Sequence, residues 1–160
     1  MVAEWHGRCR WFKLPSGEAD GEFKLGGTTA SRRHNFYGIS ADGSAIAYNG
    51  PAWLKEAGTV ASVLDGKNGM VIRQFPKHFP ASEVTLSADG RRAILILDLE
   101  ATASTFEVVD VPTGKPQGRV RVLGKAIPTL SLSPDGQLVV LHDPETDKVH
   151  LFDVPGAEAP

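Results

Sequence analysis

The sequence predicts an all-β protein assembled from a repeated four-stranded unit. Two alternating landmarks carry that reading. Ser40-Ala41-Asp42-Gly43 recurs as Ser87-Ala88-Asp89-Gly90 and again as Ser133-Pro134-Asp135-Gly136, with the aspartates 47 and 46 residues apart. Val109-Asp110-Val111-Pro112-Thr113-Gly114 returns as Phe152-Asp153-Val154-Pro155-Gly156. An earlier copy of the second landmark is Phe12-Lys13-Leu14-Pro15-Ser16-Gly17, and a degenerate one is Leu64-Asp65-Gly66. A fixed period of this size with strand-like flanks points to propeller blades. Both landmarks are turn chemistry: Asp bonds the local backbone through its side chain, and Gly takes the positive-φ position.

The segments between turns are short, apolar and bounded by Gly, Pro and Asp, which is the signature of strands. Each unit reads as an antiparallel meander of strands A to D, from inner to outer. The first full blade spans 36–75, with A at Phe36 to Ser40, B at Ser44 to Asn49, C at Thr59 to Leu64 and D at Met70 to Phe75. The second spans 83–124, with A at Val84 to Ser87, B at Arg91 to Leu97, C at Thr105 to Val111 and D at Gly118 to Leu123. Its run Ala93-Ile94-Leu95-Ile96-Leu97 is apolar at every position, as expected of a central strand buried on both faces. In Gly118 to Leu123, Val120 and Val122 alternate with Arg119 and Arg121, the pattern of a half-exposed outer strand. The last blade spans 128–154 and stops before a D strand, with A at Thr129 to Leu132, B at Gln137 to His142 and C at Lys148 to Val154. The region 8–25 supplies a half blade, C at Arg8 to Leu14 and D at Gly21 to Leu25. The only helical candidate, Ala52 to Ala57, is bracketed by Pro51 and Gly58.

The pattern apolar-Ser-x-Asp-Gly, strand, strand, Asp-Val-Pro-Thr-Gly resembles WD40-like and related bacterial β-propeller repeats over nearly the whole chain. The Ser-Pro-Asp-Gly turn and the Asp closing strand C carry the resemblance best. The units depart from the WD40 pattern in lacking an opening Gly-His and a closing Trp-Asp. Phe152-Asp153 and Val109-Asp110 stand in the closing place, and Lys13 replaces the Asp in the first copy. The resemblance implies an open or partial ring of about three and a half blades, where known propellers close with about 4–8. An open array is expected to expose the edge of the last C strand and the apolar faces of both terminal blades. Three outcomes are open: a piece of a longer propeller, which is favoured; pairing with a copy of itself or another chain to complete the ring; or a marginal open stack.

A chain of 160 residues is enough for one domain with a sizeable core. Its 17 basic and 19 acidic residues give a net charge of −2 and no electrostatic case for nucleic acid or an acidic membrane. Cys9 is the single cysteine and cannot form an intrachain disulfide. No signal-peptide pattern or membrane-length apolar run is seen, so a cytoplasmic address is the default expectation.

Catalytic signatures fail on inspection. Gly38-Ile39-Ser40-Ala41-Asp42 has Asp where a nucleophile elbow needs its second Gly. Gly118 to Gly124-Lys125-Ala126 lacks the spacing and the terminal hydroxyl residue of a phosphate loop. His142 and His150 fall on neighbouring strands, where a zinc site is conceivable, but no ligand-pair spacing supports it. The acidic stretch Asp143-Pro144-Glu145-Thr146-Asp147 lacks calcium-loop spacing and reads as a hairpin loop.

Strand direction supplies the functional expectation. The A–B and C–D turns share one face of a propeller; the longer B–C and D–A loops share the other. That second face carries Arg32, Arg33 and His34, then Trp53 and Lys55, then Lys77, His78 and Phe79. Unlike loops on a rigid scaffold are where recognition is usually placed, and Arg and aromatic residues are favoured interface anchors. The plainer alternative is solvated loops, with Trp53 and Phe79 folded back onto the blades. The expected function is therefore a non-enzymatic protein–protein interaction scaffold: a protein partner, no cofactor and no metal. The rival is a propeller segment of an enzyme, lactonase-like or quinoprotein-like, with ligands around a central channel. The A strands expected to line that channel offer Phe36, Tyr37, Ile39, Val84, Leu86, Thr129 and Leu130, which are poor ligands.

Overall fold

The computed structural model describes residues 2–4, 8–12, 15–24, 35–51, 59–75, 84–100, 102–124 and 129–154. Regular structure among them is entirely β. The strands are β1 (Val2–Glu4), β2 (Arg8–Phe12), β3 (Ala19–Lys24), β4 (Asn35–Ile39), β5 (Ala45–Pro51), β6 (Thr59–Asp65) and β7 (Val71–Phe75). They continue as β8 (Thr85–Leu86), β9 (Arg92–Glu100), β10 (Ala103–Asp110), β11 (Pro116–Leu123), β12 (Thr129–Leu132), β13 (Leu138–Asp143) and β14 (Lys148–Asp153). Four sheets form in chain order: β1-β2-β3, β4-β5-β6-β7, β8-β9-β10-β11 and β12-β13-β14. Every pairing joins consecutive strands in antiparallel register, so each sheet is a meander.

The two complete sheets follow the predicted A-to-D order. The N-terminal sheet differs from expectation. It is a three-stranded sheet rather than a two-stranded half blade, because β1 pairs with β2 through Val2↔Arg10 and Glu4↔Arg8. Only residues 5–7 separate those strands, and they contain no Asp-Gly landmark from which a turn is recognised. Lys13, Leu14 and Leu25, predicted strand residues, lie outside the described residues, as does the helical candidate Ala52 to Ala57. Strand β9 also runs three residues beyond Leu97, past a register shift at which Ile96 pairs with Phe106 and Asp98 with Thr105.

One rule of alternation, counted from the serine of each turn, organises the core. Positions five and seven after the serine face the following sheet; positions six and eight face the preceding one. Thus Ile46 and Tyr48 pack with Leu64 and with Phe23 of β3. Ala45, Ala47, Ala61, Val63 and Phe75 meet Val84, Ala93, Leu95, Val109 and Val111 of the next sheet. Ile94, Ile96, Phe106 and Val108 meet Leu130, Val139, Leu141 and Val154 of the last. The inner B strands are therefore buried on both faces, which is why β9 is apolar at each position from Ala93 to Ile96. Each Leu or Ile so buried contributes about 1.5–3 kcal/mol. Val84 and Leu130, expected to line a central channel, are buried between sheets in these clusters, while Ile39 and Thr129 are exposed.

Candidate functional site

The repeated turns are built alike. Asp42 Oδ1 accepts from Ser40 Oγ at 2.7 Å and from the Ser44 N–H at 2.9 Å. Asp89 accepts from Ser87 Oγ at 2.7 Å and the Arg91 N–H at 2.9 Å. Asp135 accepts from Ser133 Oγ at 2.5 Å and the Gln137 N–H at 3.0 Å. Each serine hydroxyl also accepts the first N–H of strand B, from Ala45 at 2.9 Å, Arg92 at 3.0 Å and Leu138 at 2.9 Å. Aspartate, serine and the glycine at φ near +70° form one closed local network.

The turns are joined to one another. The Ala41 N–H donates to the Ala88 carbonyl at 2.7 Å, and the Ala88 N–H to the Pro134 carbonyl at 2.9 Å. Pro134 has no N–H, so this ladder ends at the third turn. Arginines tie the same surface together. Arg92 donates to the Gly136 carbonyl at 2.8 Å, and Arg73 reaches the carbonyls of Val111, at 3.3 Å, and Pro112. The aspartates serve architecture, as their sequence context predicts. Asp89→Ala is expected to lower stability by about 1 kcal/mol through lost turn bonds. A melt that leaves the midpoint unmoved would contradict this.

Those bonds also set an acid response. The Ser44 N–H, followed by the Ser40 hydroxyl, holds the Asp42 carboxyl down at about 2 against an ordinary 3.8. The Ser133 hydroxyl and the Gln137 N–H lower Asp135 in the same direction. A carboxyl depressed in the folded state stabilises fully above its unfolded value, and that contribution fades as pH falls toward the folded value. The melting temperature is therefore expected to drop between about pH 4 and pH 2. The double substitution Asp42→Asn with Asp135→Asn should flatten the drop, and an unchanged slope would refute the assignment.

The opposite face is defined by the other strand ends. Residues 25–34, 52–58, 76–84 and 124–128 connect β3 to β4, β5 to β6, β7 to β8 and β11 to β12. The candidate residues Arg32, Arg33, His34, Trp53, Lys55, Lys77, His78 and Phe79 belong to these connections and lie outside the described residues. The 144–147 connection on this face is the expected hairpin. Asp143 accepts from the Glu145 N–H at 2.9 Å and the Thr146 hydroxyl at 2.6 Å, and Thr146 is the larger cause of its lowered pKa. Asp147 adopts φ 54° and stands 3.0 Å from His142 Nε2. A zinc site joining His142 to His150 is ruled out by register. His142 pairs with Val149 and His150 with Leu141, so the two rings leave opposite faces of the sheet. His150 instead stacks with Phe152. Among the described residues no group of three potential metal ligands forms.

The terminal faces differ in chemistry. The outer face of the N-terminal sheet was expected to be apolar, yet it carries the Arg10–Glu22 ion pair at 3.0 Å. That pair is half-exposed and places charge on this face. The last sheet matches its expectation. All six residues of β14 are exposed; Val149 at 63% and Leu151 at 65% lie on the outer face, and Phe152, opposite Val139, lies on the other. At the turn end of that sheet, Asp135, Gln137, Leu138, Asp153 and Val154 line an open notch of about 340 Å³. In the preceding interface the corresponding place, beside Ser87 and Arg92, receives Gly136.

No protein-family model and no curated protein matches the chain. Solved structures do. The structure titled Dos1 propeller superposes with a TM-score of 0.54 at 13% identity, over 94% of this chain and 41% of that one. The putative TolB of Agrobacterium tumefaciens gives 0.54 at 19%, over 91% and 50%. The hydrazine synthase of Kuenenia stuttgartiensis gives 0.50 at 17%, over 84% and 37%. At these identities the likeness is one of fold: the chain folds as part of a β-propeller and spans half or less of the length of these neighbours.

Proposed function

We propose that this propeller segment is a non-enzymatic scaffold for protein–protein interaction. The observation behind the reading is the division of labour between the two faces. Side-chain and backbone bonds on the Asp-turn face are spent on the turns and on joining sheets, which fixes a rigid frame. Connections of unlike length leave the other strand ends, and their sequences hold Arg32, Arg33, Trp53 and Phe79. Rigid frames with unlike loops suit recognition, and anchors of these types lose about 2 kcal/mol or more on truncation.

The test is affinity capture with the full chain and with a variant carrying Arg32→Ala, Arg33→Ala, Trp53→Ala and Phe79→Ala, followed by titration of the purified partner. The scaffold reading expects binding at least about tenfold weaker in the variant, at unchanged melting temperature. Undiminished binding would count against it. The second reading, a propeller segment of an enzyme, draws on the hydrazine synthase among the fold neighbours. Turnover by the purified chain supplied with metal or quinone would favour it.

A further inference from the structure

We propose that Asn68 is a deamidation site, and that its isoaspartate product loosens the packing of the N-terminal sheet on the next sheet. Two Asn-Gly pairs occur in the chain, Asn49-Gly50 and Asn68-Gly69. A glycine after asparagine puts no side chain in the way of the backbone nitrogen that attacks the amide carbon. The fold treats the two pairs differently. Asn49 and Gly50 lie within β5, where Asn49 is paired with Asn35 on one side and Ala61 on the other, and Gly50 with Val60. That extended backbone must leave its ladder before the Gly50 nitrogen can turn on the Asn49 side chain. Asn68 is exposed, in the turn between β6 and β7.

The turn also arranges the reacting atoms. Asn68 Oδ1 accepts from the Met70 N–H at 2.8 Å, which closes a ring containing the amide carbon and the Gly69 nitrogen. The Gly69 N–H donates to the Asp65 carbonyl at 2.8 Å, and the Asn68 N–H to Asp65 Oδ1 at 3.2 Å. Attack of the Gly69 nitrogen on the Asn68 amide carbon forms the new C–N bond of a cyclic imide. The negative charge that develops on Oδ1 meets the Met70 N–H, a donor already in place. The Gly69 nitrogen gives up its proton; the side-chain nitrogen takes one up and leaves as ammonia. Water then opens the imide. Opening at the side-chain carbonyl gives aspartate. Opening at the main-chain carbonyl gives isoaspartate, whose backbone runs through the former side chain and is one methylene longer. The longer backbone displaces Gly69, which adopts φ 71° and lies so close to Phe23 of β3 that a Cβ on it would stand 2.2 Å from the ring. Phe23 is the residue of β3 that packs with Ile46, Tyr48 and Leu64. Moving Gly69 therefore moves part of the surface on which the N-terminal sheet rests.

The test is a time course on the full chain in mildly alkaline buffer, read by peptide mapping and an isoaspartate-specific methyltransferase, and repeated in urea. The folded chain is expected to convert Asn68 at least about tenfold faster than Asn49, and urea should bring the two rates together. Equal rates in the folded chain, or conversion of Asn68 in urea alone, would overturn the site. Hydrogen exchange in the aged chain should rise at residues 19–24 and stay unchanged at 93–96. Asn68→Ser keeps an oxygen for the Met70 N–H and has no amide to lose, so the same incubation should leave its exchange at 19–24 unmoved. An aged wild-type chain with unaltered exchange at 19–24, or an Asn68→Ser chain that loosens equally, would overturn the link to the N-terminal sheet.

Discussion

Gly66→Val is expected to be among the most destabilising single substitutions in the chain. Valine stands at the equivalent place in the next two sheets, as Val111 and Val154, so sequence alignment of the repeats makes the change look harmless. The local packing says otherwise. The Gly66 N–H donates to the Ser44 carbonyl at 2.8 Å, and a Cβ at Gly66 would lie 1.8 Å from the Gly43 carbonyl oxygen. That oxygen is backbone and cannot swing aside, so the A–B and C–D turns of this sheet must separate. The separation also disturbs the Asp42 network and the Ala41-to-Ala88 bond beside it. A loss of roughly 2–4 kcal/mol is expected. Urea denaturation should report a lower midpoint at unchanged slope. A loss under about 0.5 kcal/mol would mean the turns are not packed as described.

Leu95→Ala is the second large effect. Leu95 is 1% exposed and lies in the cluster between the two complete sheets with Val63, Phe75 and Val109. Removing its branched end leaves a cavity bounded on both sides by sheets that hydrogen bonds hold apart, so collapse is limited. The cost should be about 2–5 kcal/mol. Leu151→Ala, the same change on the open face, should cost under about 0.5 kcal/mol. Equal effects at the two sites would contradict the assignment of faces.

Most of the frame was legible because turn chemistry is local. Asp and Gly act within a few residues, so the three Ser-x-Asp-Gly turns located strands A and B of the last three sheets, and β12 was bounded to the residue. The apolar run in β9 announced burial on two sides for an equally local reason. What escaped reading depends on approach between units. The ladder from Ala41 through Ala88 to Pro134 pairs residues 47 and 46 positions apart through backbone atoms that every residue type carries. The need for glycine at 66 arises from contact with another turn. Strand β1 was missed because three residues without Asp or Pro make the connection to β2. The charge on the outer face of the first sheet comes from Arg10 and Glu22, which only the register of β2 against β3 brings opposite one another. The candidate loop residues were picked by strand direction and residue type, and the edge of β14 by the missing D strand. The turn-end notch depends on how the ends of β13 and β14 close together, which no local pattern encodes.

The central claim is that neighbouring residues of one B strand face different sheets. Methyl–methyl NOEs in a chain labelled at Ile, Leu and Val test it directly. Ile94 and Ile96 should show cross-peaks to Val139 and Leu141 of the last sheet, while Leu95 shows them to Val63 of the preceding one. Cross-peaks from Leu95 to Val139, or from all three residues to a single sheet, would contradict the stacked-blade account.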